Sequence, residues 1–383
     1  MAHSREGITL DLITRTIRNS FLSPFIVLPI VTGLSWQPAR TRLFEYVHAE
    51  ASSTALVVTY LLAALSVALS LNDYLNDGFA NNWVRASDWD WNSEIVVITG
   101  GSGGIGEHVA RQLLAKNIQT TIVILDCMPM TWTAPAKSKV HYYQVDLSNS
   151  SNIRTITQRI RDEVGHPTVL VNNAGLSRGF TVMDGSYIDV EVTIRTNLVA
   201  PFLLIKEFVP QMVSRNHGHI VNISSMSALI PPARVADYAA TKAGLVALHE
   251  ALQLELKDVH GAPKVRLSLA ILSFVRTPLF KGETHQSNFL FPLMHVETVA
   301  DSIVDTLYSG LGKTIYMPGI MRYVAILKGG PDWFFRNIRN GSKNLGVDFK
   351  GRQRIDPKTG ILDQAGATEN STKLSQKATT KDE

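Results

Sequence analysis

The chain has 383 residues, of which 45% are apolar and 18% charged, and it carries a formal net charge of +4. This length suits one large domain with appendages, since a single core usually stops growing near ~250–300 residues. Scattered basic residues argue against a nucleic-acid surface, which needs a clustered stripe, and the single cysteine, Cys127, excludes an intramolecular disulfide or a cysteine-cluster metal site.

Two apolar segments dominate residues 1–92 and predict a membrane-anchoring region. The first, residues 21–36, is short and contains Pro24 and Pro29, which interrupt helical hydrogen bonding, so we interpret it as a re-entrant, interfacial or kinked segment. The second, residues 51–71, is free of charge and as a helix would cover roughly the ~30 Å of a bilayer core. A buried core helix is the alternative.

A polar linker, residues 72–92, follows the second apolar segment. Its Trp83, Trp89 and Trp91 suit a membrane–water boundary. A signal peptide would have its apolar core at the very N-terminus, so we expect the segments to be retained as an anchor. If both segments span, the slight bias of Lys and Arg puts the N-terminus and the catalytic domain in the cytosol, at the endoplasmic reticulum membrane or a lipid droplet.

From residue 93 to residue 318, short β-branched runs alternate with stretches of helical length. This pattern predicts an α/β domain with a doubly wound parallel sheet of seven strands. The predicted strands are residues 95–99, 121–125, 140–145, 168–172, 219–224, 265–272 and 314–317.

The remaining chain is predicted to lie outside that domain. Residues 319–352 mix aromatic and basic residues in an amphipathic extension, for which a membrane contact, a dimer contact and a substrate flap stay open. Residues 353–383 are polar and are expected to be disordered, because they bury too little apolar surface.

A glycine cluster directly follows the first predicted strand and opens a helix. Gly100, Gly104 and Gly106 would let the backbone approach a pyrophosphate, which the helix N-terminus stabilises; an ordinary glycine-rich turn is the alternative. Asp126, twenty residues after Gly106, ends the second strand, where a carboxylate accepts hydrogen bonds from ribose hydroxyls and repels a 2′-phosphate. NAD(H) is therefore favoured, with NADP(H) possible.

Tyr238 and Lys242 are four residues apart and so lie on one face of a helix. An ammonium near a phenol favours the phenolate and lowers the pKa of the phenol. Such a pair can take a proton from an alcohol, or return it to a ketone, while hydride moves to or from a nicotinamide. Ser225 ends a predicted strand thirteen residues earlier, where its hydroxyl could hold the substrate oxygen beside the phenol.

These motifs resemble, in order and spacing, those of the classical short-chain dehydrogenase/reductases over about residues 94–318. The matching positions are Thr99-Gly100-x-x-x-Gly104-x-Gly106, NNAG at 172–175, TN at 196–197, Ser225 and Tyr238-x-x-x-Lys242. The resemblance implies a Rossmann fold, with Tyr238 as general acid/base and Ser225 orienting the substrate. It also implies that Lys242 lowers the pKa of Tyr238 and binds the nicotinamide ribose, and that Asn197 completes a water-linked proton relay.

The resemblance further implies a set of cofactor contacts, with Asp146 at the adenine and Asn173 at the cofactor-side backbone. The whole set is Gly100, Ser102, Gly104, Ile105, Gly106, Asp126, Asp146, Leu147, Asn173, Ala174, Gly175, Tyr238, Lys242, Val275 and Thr277. After the sixth strand the sequence departs from the family, because Leu272 and Ser273 replace the usual Pro-Gly. We therefore expect the nearby turn to differ from that of the family. The mechanism that the resemblance implies requires no metal.

The anchor, the aspartate after the second strand and the segment Phe274-Val275-x-Thr277 more narrowly resemble the membrane-associated branch with retinol and 17β-hydroxysteroid dehydrogenases. The branch implies a membrane-anchored, NAD(H)-dependent oxidoreductase for retinoids, steroids or long-chain lipid alcohols and ketones, and we expect a homodimer. Apolar residues of the segment 280–295 would be a pocket wall or core. The alternatives are an NADP(H)-dependent ketone reductase of lipid synthesis and a non-catalytic dinucleotide-binding scaffold.

Overall fold

The computed structural model describes residues 4–43, 49–85, 89–279 and 287–341. The chain divides into two compact units, Met1–Trp83 and Val84–Glu383. The first unit holds the apolar segments and the second holds the glycine cluster and the Tyr–Lys pair.

The first unit is helical. Its helices are α1 (Leu10–Asn19), α2 (Pro24–Ser35), α3 (Gln37–Leu43) and α4 (Ala49–Ala80). Pro24 is the first residue of α2, where no intrahelical donor is needed, and the helix continues through Pro29. The predicted kink is present, since the pair is bent by 47° between α1 and α2, directly before Pro24, but Pro29 does not end the helix as expected.

Helix α4 has the length and composition of a membrane span over Ser53–Ala80, and α1 with α2 passes the same test as one bent span. Large side chains of α4 such as Val57, Leu61 and Leu71 are exposed within the unit. A helix in a protein core would bury these groups, so the structure does not favour the buried-helix alternative.

The second unit contains one sheet of seven parallel strands, in the order β3-β2-β1-β4-β5-β6-β7. The strands are β1 (Ile95–Thr99), β2 (Thr121–Asp126), β3 (Lys139–Gln144), β4 (Val169–Asn172), β5 (His219–Ser225), β6 (Arg266–Leu272) and β7 (Thr314–Met317). Each predicted strand is present within about one residue of its expected bounds, and the predicted fold class is confirmed. Strands β1, β2 and β4 are mostly apolar because helices cover both faces of the sheet, whereas β5 and β6 also bury polar residues such as Asn222 and Arg266.

Helices connect the strands on both faces. The connecting helices are α5 (Gly104–Lys116), α6 (Ser150–Glu163), α7 (Tyr187–Ile194), α8 (Ala200–Arg215), α9 (Ala236–Leu254) and α10 (Val296–Tyr308), and α11 (Met321–Leu327) and α12 (Asp332–Asn340) follow β7. The strand order reverses between β1 and β4, so a crevice is expected at the carboxyl ends of these strands, where dinucleotides bind in such sheets.

Two of the linker tryptophans belong to the second unit. Trp91 is buried and stacks on Tyr308 with 4.2 Å between ring centroids, and Trp89 stacks on Trp91. The main-chain oxygen of Trp91 accepts a hydrogen bond from the Thr120 hydroxyl at 2.9 Å. These rings therefore serve the core, and the expectation that they mark a membrane boundary is wrong; Trp83, in the first unit, is half exposed.

The C-terminal extension is partly anchored to the sheet. Met321 and Val324 of α11 are buried in an apolar cluster with Leu269 and Ile271 of β6. The opposite side of α11 exposes large apolar groups such as Ile326. Residues 342–352 and the predicted disordered tail, 353–383, lie outside the described residues.

Candidate active site

The glycine turn between β1 and α5 is held by the start of the NNAG segment. The Asn173 side-chain amide donates to the carbonyl oxygens of Thr99 at 2.9 Å and of Gly100 at 3.0 Å. The Thr99 hydroxyl oxygen in turn accepts from the backbone N–H groups of Asn173 and Ala174 at 3.0 and 2.9 Å. Asn173 and Ala174 are thus positioned beside the turn, as predicted for cofactor-side residues.

Glycine is required at two positions of this turn. Gly100 has φ +66°, a left-handed conformation that favours glycine. A Cβ on Gly106 would lie 2.4 Å from the Gly100 carbonyl oxygen, so only glycine lets the helix approach the strand this closely. Helix α5 follows Gly103, which offers no side-chain cap, so its first N–H groups are free of a side-chain acceptor.

Asp126 lies at the carboxyl end of β2 and fastens two loops. Its carboxylate accepts the backbone N–H of Ser102 at 2.9 Å through Oδ2 and that of Met128 at 3.0 Å through Oδ1. The Ser102 hydroxyl donates to the Met128 carbonyl oxygen at 2.9 Å. The predicted cofactor residues Ser102 and Asp126 are therefore brought together at the carboxyl edge of the sheet.

The segment after Asp126 covers the glycine turn. The Trp132 indole N–H donates to the Gly101 carbonyl oxygen at 3.0 Å, and the Thr131 hydroxyl donates to the Ser102 carbonyl oxygen at 2.6 Å. Trp132 is buried, and the Arg111 guanidinium lies 5.2 Å from the centroid of its ring. These contacts were not foreseen, because nothing in the local sequence shows where a loop residue such as Trp132 will pack.

Asp146 and Leu147 follow β3, next to Asp126. The Val145 N–H donates to the Asp126 carbonyl oxygen at 2.8 Å, while Asp146 accepts the Ser148 N–H at 2.8 Å. Leu147 is buried in the apolar cluster on one face of the sheet. The structure thus places both residues at the same edge as the glycine turn.

Asn197 is placed by a break in helix geometry. It lies in a π-helical turn, Arg195–Val199, between α7 and α8, and such turns occur frequently at functional sites. Its side chain accepts from the Leu176 N–H at 2.9 Å and donates to the Leu176 oxygen at 2.8 Å and to the Thr241 hydroxyl at 3.2 Å. Asn197 therefore joins the NNAG segment to α9, which carries the Tyr–Lys pair.

Tyr238 and Lys242 lie near the start of α9, beside the end of β5. The Lys242 ammonium donates to the Ile223 oxygen at 2.7 Å and lies 5.6 Å from the centroid of the Tyr238 ring. Ser225 is the last residue of β5, and its hydroxyl oxygen accepts the Ser227 N–H at 3.2 Å. The four predicted catalytic residues thus come from three elements that meet at one edge of the sheet.

Lys242 is almost completely buried, and this burial lowers its pKa from 10.5 to about 8. Desolvation disfavours the charged form of a lysine, so the ammonium is held at a free-energy cost. A Cβ on Gly175 would lie 3.5 Å from both Lys242 Nζ and Asn197 Oδ1. Gly175 therefore lies next to both polar groups, and because it has no side chain it leaves the space beside them open.

The segment after β6 closes the other side of the glycine turn. At the position of the departure from the family pattern, the Ser273 N–H donates to the Met317 oxygen at 2.8 Å. Thr277 lies at the glycine turn, since a Cβ on Gly104 would be 3.6 Å from the side chain of Thr277. Val275 is buried and forms an isolated parallel bridge with Met294.

The segment 280–295 divides between the two expected roles. Met294 is buried in the main core, and Phe291 packs against the cluster beneath α11. Phe289, by contrast, is 40% exposed. Phe280 and His285 lie outside the described residues, whereas His295 is a half-exposed residue at the start of α10, near Glu297.

These residues fit a dinucleotide. The turn offers uncapped N–H groups and no side chain at Gly103 or Gly106, and Asp126 keeps carboxylate lone pairs for a ribose. The hydroxyls of Ser227 and Ser273 are buried near the ends of β5 and β6 with no hydrogen-bond partner among the described residues. Within the same described ranges, no cluster of three or more His, Cys, Asp or Glu could hold a metal ion.

A family model described as short chain dehydrogenase matches residues 94–288. Dehydrogenase RED2 of Cochliobolus heterostrophus is 35% identical over 218 residues, which cover 57% of this chain and 80% of RED2. Epidermal retinol dehydrogenase 2 of Mus musculus is 28% identical over 244 residues, covering 61% and 77% of the two chains. 17-beta-hydroxysteroid dehydrogenase 13 of Mus musculus is 28% identical over 256 residues, which cover 65% of this chain and 82% of that protein.

Among solved structures, 4-hydroxyisoleucine dehydrogenase complexed with NADH superposes with a TM-score of 0.51 at 23% identity. The match covers 58% of this chain and 96% of that enzyme. This likeness shows the fold alone.

Proposed function

The chain belongs to the short-chain dehydrogenase family, and on this basis we propose that it is a membrane-anchored oxidoreductase for lipophilic alcohols or ketones. Family membership makes it an enzyme that acts on CH–OH groups with NAD or NADP. The proposal adds that hydride moves between NAD(H) and a retinoid, a steroid or a long-chain lipid. The observation that carries the reaction is the buried Lys242 ammonium beside the Tyr238 ring.

Tyr238 is proposed to exchange the proton with the substrate oxygen. Lys242 supplies a positive charge that favours the phenolate form, and Asn197 and Gly175 border the same small region. Ser225 is proposed to hold the substrate oxygen at the carboxyl end of β5. A water between Asn197 and Lys242 would complete a path by which the proton reaches solvent.

The dinucleotide supplies the hydride acceptor or donor when bound. Its pyrophosphate would lie on the turn Gly100–Gly106, with Ser102 and Ile105 beside it, and its adenosine between Asp126, Asp146 and Leu147. Asn173, Ala174, Gly175, Val275 and Thr277 would line the nicotinamide end, together with Tyr238 and Lys242. Asp126 favours NAD(H), because its charge repels a 2′-phosphate.

The lipophilic substrate is proposed from the first unit and from the relatives. A span-length apolar helix, α4, precedes the catalytic unit, and the relatives include a retinol and a steroid dehydrogenase by name. An enzyme held at a membrane meets substrates that scarcely dissolve in water. The exposed Tyr323, Ile326 and Trp333 suit a second contact of the C-terminal extension with that membrane.

We include a homodimer in the proposal. Val190 and Ile194 are four residues apart on α7, Phe202 lies near the start of α8, and all three are exposed. Exposed apolar groups of this kind suit contact with a second copy.

The reaction is tested with full-length protein in detergent, NAD or NADH, and a panel of retinoids, sterols and fatty alcohols or the corresponding ketones. Tyr238→Phe should lower kcat by about 10²–10⁴-fold, because the general acid/base is lost. Lys242→Met should lower it as well. The measurement is the absorbance of the reduced nicotinamide, and Tyr187→Phe, at an exposed phenol of α7, is the matched control.

Full activity of Tyr238→Phe would contradict the assigned role. Absence of turnover over the whole panel with both cofactors would favour the scaffold alternative, and turnover with NADPH alone would favour the ketone reductase.

A further inference from the structure

The first unit contains an antiparallel helical hairpin. The Ser35 and Tyr60 hydroxyls are 2.7 Å apart, and the Ser66 hydroxyl donates to the Leu22 oxygen at 2.8 Å. Further along, Arg18 forms an ion pair with Asp73. Residue numbers fall along α2 as they rise along α4, so the chain leaves the hairpin at the end where it entered.

The polar groups of the hairpin are divided between its two ends. The Arg18–Asp73 pair lies at the open end, which is the end where the chain enters and leaves the hairpin. There the Arg18 guanidinium also donates to the Leu69 oxygen at 3.3 Å. At the closed end, the connection between the two spans carries Arg40, Arg42 and Glu50. Between the two ends no charged residue occurs in residues 19–39 or 51–72.

The distance between these ends matches a bilayer. At ~1.5 Å per residue, the helix from Glu50 to Asp73 is about 35 Å long, against about 30 Å of hydrocarbon. Large apolar groups such as Phe25, Val57 and Leu61 are exposed along this length. Ser66, by contrast, is buried against the first segment, so this polar group within the span has its partner inside the hairpin.

We propose that the segment from α2 to α4 crosses a lipid bilayer twice, with α3 on the opposite side from the N-terminus and the catalytic unit. Charged side chains are costly to place in hydrocarbon, and the sequence of the closed end contains Arg40, Arg42 and Glu50, so this end must reach water. A lipid-droplet monolayer has no second aqueous face, and the hairpin therefore fits a bilayer. The inference rests on the membrane anchoring of the proposed function.

Cysteine accessibility in sealed microsomes tests the crossing with the full chain. Cys127 is the only native cysteine, and burial raises the pKa of its thiol to about 12, so the unsubstituted chain gives a low baseline with a membrane-impermeant maleimide. Thr41→Cys probes α3, and Asn76→Cys is the matched control on the open end of α4; both positions are exposed.

Asn76→Cys should react in sealed microsomes, whereas Thr41→Cys should react at least tenfold more after detergent opens them. Equal labelling of the two variants in sealed microsomes would overturn the crossing, as would protection of both. Labelling of Thr41→Cys but not of Asn76→Cys in sealed microsomes would support the crossing and contradict a cytosolic position of the catalytic unit. Release of the chain by alkaline carbonate would instead contradict the membrane anchoring, and would mean that protein covers the apolar surface.

Discussion

Asp126 has a structural role beside the selective role that we propose for it. Its two carboxylate oxygens hold the N–H groups of Ser102 and Met128, so the group proposed to repel a 2′-phosphate also fixes the glycine turn. Removing the side chain therefore relieves the repulsion and loosens the turn at the same time. A change in cofactor preference and a loss of overall affinity should appear together.

We expect Asp126→Ala to improve the ratio of NADPH to NADH affinity by about tenfold, which corresponds to ~1.4 kcal/mol. The absolute affinity for NADH should fall. Titration of nicotinamide fluorescence measures both dissociation constants without turnover. Asp146→Ala is the control, because a group near the adenine should weaken both cofactors alike; an unchanged ratio in Asp126→Ala would remove the basis for the NAD preference.

The residue types and spacing of the candidate site are visible in the sequence, but several hydrogen-bond partners of these residues are not. Tyr238 and Lys242 share a helix face by their spacing alone, which sequence shows directly. The hydrogen bonds of Asn197 to Leu176 and Thr241 depend instead on a π-helical turn and on how that turn packs against α9. Such long-range packing leaves no local signal, and the same holds for Trp132 over the glycine turn.

At the scale of elements, the turn between β1 and α5 depends on a close approach of helix to strand. A Cβ on Gly106 would meet the Gly100 oxygen at 2.4 Å and the Asn173 amide nitrogen at 2.7 Å, and backbone cannot yield as a side chain can. At Gly103 the nearest atom would be 3.9 Å away, and its φ of −161° suits any residue. A substitution at Gly106 therefore tests the packing of helix against strand, whereas a substitution at Gly103 tests the contact with the cofactor.

Gly106→Ala should destabilise the catalytic unit by about 1–3 kcal/mol through overpacking and lower its melting temperature by several degrees. Gly103→Ala should leave the melting temperature unchanged. Thermal unfolding without cofactor measures this difference, and NADH titration then shows whether Gly103→Ala still binds. Equal melting temperatures for Gly106→Ala and the unsubstituted chain would contradict the packing argument.

Element prediction succeeded where burial and periodicity agree, as in the seven strands with apolar cores. It failed where a residue type has two common uses. Trp91 suits a membrane boundary by composition, yet it packs on Tyr308, more than two hundred residues away in sequence. Pro29 lowers helix propensity, yet α2 continues through it, because the proline ring removes one backbone donor while the other turns of the helix keep theirs.

For the whole molecule, stability depends on pH through buried groups with lowered pKa values. Burial lowers the pKa of His219 from 6.5 to about 3, that of His249 from 6.5 to about 4, and that of Lys242 from 10.5 to about 8. Between pH 4 and 6.5, and again from pH 8, the unfolded chain binds more protons than the folded chain. The free energy of unfolding therefore rises with pH in both windows.

Cys127 acts with the opposite sign at alkaline pH. Burial raises the pKa of its thiol from 9.0 to about 12, so above pH 9 the unfolded chain loses a proton that the folded chain keeps. Its effect and that of Lys242 should offset each other between pH 9 and 10, where each changes the free energy by about 1.4 kcal/mol per pH unit. Stability should thus rise from pH 8 to 9 and then level off.

Urea unfolding of the full chain in detergent, followed by tryptophan fluorescence, measures this curve, since Trp89, Trp91 and Trp132 report on the catalytic unit. Lys242→Met should remove the rise between pH 8 and 9 and convert the plateau into a decline, because only the Cys127 contribution remains. His249→Gln should weaken the loss of stability below pH 6.5. A parallel pH curve for Lys242→Met and the unsubstituted chain would mean that Lys242 is charged in the folded state throughout this range, and that burial does not lower its pKa.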